Sequence, residues 1–132
     1  ALPAMNAGAQ EANRPVPPLV VHAPVCVHDT SDEVRAAARE QIANYPRLPF
    51  YSQMLADAGF PEAKEGIWSD AMLEAVVLSG GEEQVALRLQ ELFDWGAEEV
   101  IASPITAGQD CEASRERTVR LVAEVAQTVR TD

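Results

Sequence analysis

The chain has 132 residues and a formal net charge of −11, from 21 acids against 10 Lys and Arg. A length of this order supports one domain with one core, and a polyanion such as DNA or RNA, like an anionic membrane surface, is excluded as a partner because both need clustered basic side chains. The hydrophobic share is 47% with only 5% aromatic, so the core is expected to be Ala, Val, Leu and Ile.

Ala1 to Asn13 reads as the tail of a helix with Leu2, Met5 and Ala9 on one face and no capping residue before it. No methionine starts the chain, so a partial gene product is one expectation. Nothing at the start has the basic and apolar regions of a signal peptide. Arg14 to Pro18 holds three prolines and must break the helix. Leu19 to His28 is β-branched and nearly continuously apolar, the pattern of a strand covered on both faces.

Thr30 and Glu33 have capping-box spacing. The helix after them carries Val34, Ala37, Ala38, Ile42 and Tyr45 on one face until Pro46 stops it. Pro49 opens a short helix that Gly59 closes, and a third helix is expected after Ser69. Val77 to Gly81 reads as a turn. Glu82 to Trp95 is a strong amphipathic helix with Val85, Leu89, Leu92 and Phe93 inward. Glu99 to Ser103 is a short buried strand. Asp110 caps a last helix, whose inner face is expected to hold Val119, Val122, Ala126 and Val129.

Alternating strands and helices predict an α/β fold with a parallel sheet. About seventy residues separate the two strands, where a simple βαβ unit takes roughly 30 in all. Residues 29–76 therefore read as a helical insertion into one βα loop. Two strands alone leave open edges, so the chain is expected to be part of something larger or to form a homodimer.

The run PPLVVHAPVCVHDTSDEVRAAA, and the stretch VVLSGGEEQVALRLQELFDWGAEEVIASPI after it, resemble the luciferase-like monooxygenase family, especially its deazaflavin (coenzyme F-420) branch. The elements that carry the likeness are Gly80 to Val85, Trp95 to Ala97 and Val100 to Pro104. The resemblance implies a partial TIM (β/α)8 barrel, with all 132 residues in its C-terminal portion and the two strands as the last two of eight. It implies a parent oxidoreductase that uses F-420 or FMN on a small-molecule substrate. Most cofactor contacts would lie in earlier strands, so the segment alone is expected to be inactive and to bind no cofactor tightly.

Candidate site residues are few. Cys26 and His28 lie at the carboxyl end of their strand, where barrel active sites are built, and Ser103 ends the second strand; all three are candidates for a substrate pocket. Ser79, Gly80 and Gly81 precede a helix whose amides could meet a cofactor phosphate, although Glu82 and Glu83 oppose an anion there. His22, Cys26 and His28 share one strand face, but His22 and Cys26 are roughly 13 Å apart at ~3.3 Å per residue, so no metal site is expected. Trp95 is expected to pack against the sheet. Two cysteines make no disulfide framework, which points to a reduced cytoplasmic protein. No catalytic motif such as a P-loop, H-E-x-x-H or G-x-S-x-G is present. The alternative to an oxidoreductase segment is a non-catalytic α/β module that binds a partner or dimerises.

Overall fold

A computed structural model describes residues 1–129. The order is α1 (Leu2–Glu11), β1 (Val20–Val27), α2 (Ser31–Gln41), α3 (Pro49–Asp57), α4 (Asp70–Val76), β2 (Leu78–Gly80), α5 (Glu82–Asp94), β3 (Glu99–Pro104) and α6 (Cys111–Val129). Short 3-10 turns at Tyr45–Arg47 and Pro61–Glu65 flank α3. The α/β class is as expected, and α2 to α4 lie between β1 and β2.

The sheet is parallel, with strand order β2-β1-β3. Val20 to Val25 of β1 pair with Glu99 to Pro104, so the two expected strands are parallel neighbours. The third strand is a correction: Leu78–Gly80, read from sequence as part of a turn, pairs with Val25 to Val27 on the other side of β1. Consecutive strands of a (β/α)8 barrel are adjacent, in order 1-2-3. Here β1 stands in the middle, the order at the start of a doubly wound sheet.

Alternation along β1 divides the interior into two layers. Ala23, Val25 and Val27 pack with Val85 and Leu89 of α5 and Leu121 of α6. Cys26 faces the other way, toward Val34, Ala38, Leu55, Met72 and Leu73 of the insertion. The insertion is therefore a helical layer over one sheet face, with Trp68 closing it through an Nε1–H bond of 2.8 Å to the Ile42 carbonyl. Full burial of one such aliphatic side chain contributes about 1.5–3 kcal/mol, so each layer depends on a handful of contacts.

Local signals account for most helix ends. Ser69 Oγ accepts the Met72 amide at 3.2 Å, and Asp110 Oδ1 accepts the Ala113 amide at 2.9 Å. Three expectations fail wholly or in part. Thr30 makes no side-chain cap, and Glu33, its capping-box partner, bonds the His28 ring. On α6 the expected face holds only in part: Val122 packs against the core, but Val119 is 48% exposed and the buried residues are Ser114, Thr118 and Leu121; the inner face carries hydroxyls that bond strand and loop amides, which an apolar pattern passes over. Trp95 is 68% exposed rather than packed on the sheet, because α5 ends there and Gly96 turns the chain with φ 103°.

Candidate functional site

The carboxyl ends of β1 and β2 open into a cleft of about 380 Å³. Ligands of open α/β sheets bind at this end of the strands, because the loops and helix starts collect there. The floor is apolar, from Val34, Ala38, Leu73 and Val77. The rim is polar, from His28, Asp29, Arg35, Glu74, Ser79 and Gln84.

Four sequence candidates meet in this cleft: His28, Ser79, Gly80 and Gly81. His28 follows β1, and its amide donates to the Gly80 carbonyl at 3.0 Å, which locks the two loop starts together. Its Nε2 lies 2.5 Å from Glu33 Oε2. Gly80 has φ 131°, a region open to glycine, and Gln84 Oε1 accepts the Gly81 amide at 3.3 Å. The helix start at Gly81 is thus capped by its own chain.

Cys26 and Ser103 do not join them. Cys26 is fully buried in the layer beneath the cleft. Burial pushes its thiol up to about 11, against the lowering effects of a Ser114 hydrogen bond and the Arg117 charge. It is a small core residue and a poor nucleophile. Ser103 lies on β3, where its Oγ is 2.7 Å from His22 Nε2. His22 and Cys26 share a face, as expected, but the described residues hold no group of three or more His, Cys, Asp or Glu placed to bind a metal.

The charges on and beside the cleft come from residues that no sequence motif singles out. Arg117 of α6 reaches Glu82 at 2.5 Å and Asp29 at 2.9 Å. Its hydrogen bonds hold the Glu82 carboxyl down at about 2 and Asp29 below its ordinary value. Arg35 bonds Asp32 and Glu74 and lies near Asp70, and Arg39 also takes Asp70, which holds that carboxyl low. Each of these arginines is therefore matched by carboxylates. The i, i+3 spacing of Asp32 and Arg35 was the one local hint; Arg117 and Asp29 are 88 residues apart.

No helix among the described residues is long and apolar enough to cross a membrane. The family model for luciferase-like monooxygenases matches residues 1–99, which carry α1 through α5 and reach the first residue of β3. No curated protein and no solved structure matches the chain.

Proposed function

The chain belongs to the luciferase-like monooxygenase family, and on that premise we propose that it supplies the substrate-side cleft of a flavin- or deazaflavin-dependent oxidoreductase. The observation that carries this reading is the convergence of His28, Ser79, Gly80 and Gly81 on one cleft at the carboxyl end of the sheet. A cofactor of this class supplies hydride transfer or oxygen activation; the protein orients the substrate and keeps water out.

The cleft does not suit the cofactor itself. FMN and coenzyme F-420 both carry phosphate, which needs uncommitted amides or cations. Gly81 N–H is taken by Gln84, Glu82 and Glu83 follow on the first turn of α5, and Arg35 and Arg117 are matched by acids. In this reading the phosphate is held by other parts of a longer protein, and Ser79 to Gly81 shape the rim toward substrate. The insertion walls the cleft through α2 and α4 and sets specificity. The outer edges of β2 and β3, unpaired among the described residues, are where further strands would join. A completed barrel would need consecutive strands side by side, which the β2-β1-β3 order does not give, so the support comes from the family and from the cleft that the β1–β2 pairing forms.

Reading the coding sequence in frame upstream of Ala1 and assaying the resulting protein tests the proposal. About five further βα units, which with the three strands here make eight, with turnover of reduced FMN or F-420 in the longer protein and none in the 132-residue chain, is the expected result. Absence of both the units and the turnover would overturn it.

One observation favours a second reading, a partner-binding module. The edge of β3 pairs with nothing beyond β1 among the described residues, and Ile101 on that strand is 50% exposed. Size-exclusion chromatography separates the two: a dimer lost on Ile101→Lys supports the module, and a compact monomer opposes it.

A further inference from the structure

We propose that His28 and Glu33 form a proton-transfer pair, in which His28 is the base met by a small uncharged ligand in the cleft and Glu33 is the positioning carboxylate. This deepens the substrate-side reading and rests on it for the location of the ligand.

His28 is held from three strand ends. Its amide donates to Gly80, at the end of β2. Its ring bonds Glu33 of α2 at 2.5 Å. Past β3, Gly108 has φ +79°, and a Cβ built there would stand 3.0 Å from His28 Cε1 and 3.4 Å from Glu33 Oε2. That loop passes so close because it has no side chain at this position. The imidazole also stands between two hollows, the cleft and a smaller one of about 230 Å³ toward α6. Its side chain is 20% exposed, enough for a ligand to touch it while its surroundings fix it.

The neighbouring charges leave Glu33 as its partner. Asp29, in the next loop position, and Glu82, on α5, are both taken by Arg117 of α6. Asp32, beside Glu33, is taken by Arg35. With Nε2–H donating to Glu33, Nδ1 carries the lone pair. A C–H or O–H proton of the ligand passes to Nδ1, its bonding electron pair stays on the ligand, and Glu33 balances the imidazolium formed. Reversal returns the proton. The ligand class follows from the lining: Arg35 is matched by acids, and Arg117, which binds the rim residue Asp29 from α6, is matched as well, so neither is free for an anion, while the apolar floor covers an uncharged body.

The probe is 5-nitrobenzisoxazole with the 132-residue chain. A base removes its ring C–H proton, that electron pair completes a nitrile, and the N–O bond breaks to give a coloured phenolate. The chain is expected to exceed an equal concentration of free imidazole by at least about tenfold. His28→Ala and His28→Gln should both return the rate to that of buffer, the second guarding against loss of fold, and His22→Ala should leave it unchanged. Glu33→Gln should lower kcat several-fold with KM unchanged, a split that a merely structural role would not give. A rate no better than imidazole, a rate that survives both His28 variants, or an unchanged kcat in Glu33→Gln would overturn the proposal. Flavin plays no part in this assay, so its failure removes the proton-transfer pair alone, and failure of the flavin assay removes the family-based reading alone.

Discussion

Thr118 Oγ1 accepts the backbone amide of Val27 at 3.0 Å, across 91 positions of sequence. The bond replaces a strand partner. The register of β3 ends with Pro104 opposite Val25, so Val27 has no β3 residue beside it. Thr118 supplies the acceptor from α6, and its hydroxyl donates in turn to the Ser114 carbonyl at 3.0 Å.

Thr118→Val keeps the shape and removes the acceptor. The buried Val27 amide is then unsatisfied, which costs about 1–3 kcal/mol. Urea denaturation should show a lower midpoint with an unchanged slope. A midpoint equal to the wild type would mean that this bond does not hold β1 to α6.

Arg117 predicts the acid limb of stability. Glu82 is held at about 2 against an ordinary 4.5, and Asp29 is lowered as well. Lowered carboxyl values stabilise the folded state fully above the ordinary value and lose that contribution as pH falls through the folded value. The wild-type melting temperature should therefore fall between about pH 4.5 and pH 2 more steeply than that of Arg117→Gln. Both carboxylates are exposed, so solvent screens the effect and it stays small. Parallel acid limbs would contradict the assignment.

The two cysteines should differ in reactivity. Cys111 is exposed, and Cys26 is buried with its thiol pushed up to about 11. A thiol reagent at about pH 8, near the ordinary thiol value, should label one site quickly, identified as Cys111 by peptide mass, and the second only in denaturant. Rapid labelling of Cys26 in the native protein would show that the core beneath the cleft opens.

Gly80→Ala tests the rim. A Cβ at φ 131° is strained and runs into the Gln84 side chain. The variant should lose stability by about 1–3 kcal/mol, read as a lower urea midpoint. Pairing with Gln84→Ala should restore part of the loss, because the clash is with that flexible side chain; no recovery would place the whole cost in the backbone.

Much of the architecture can be read in the residues. Val85 and Leu89 mark α5 at helical spacing, Ser69 and Asp110 cap α4 and α6, and the apolar run before His28 marks β1. Strand β2 is missed because three residues are too few to show a period. The buried face of α6 is missed because Ser114 and Thr118 are buried to bond the Ala107 and Val27 amides, a reason for burial that apolar patterning does not detect. At the site, His28 and Ser79 to Gly81 follow from their places at element ends. Arg117 does not, since its partners are far away in sequence, and Glu33 is misread as a cap because its competitor, the His28 ring, becomes its neighbour only through the turn between β1 and α2.

The sheet order is what brings these groups together, and backbone NMR tests it directly. Nuclear Overhauser contacts should link β1 to both other strands, Cys26 with Ser79 on one side and His22 with Ile101 on the other. Contacts between Leu78–Gly80 and β3, with none between β1 and β3, would set β2 in the middle as in consecutive barrel strands and contradict the account.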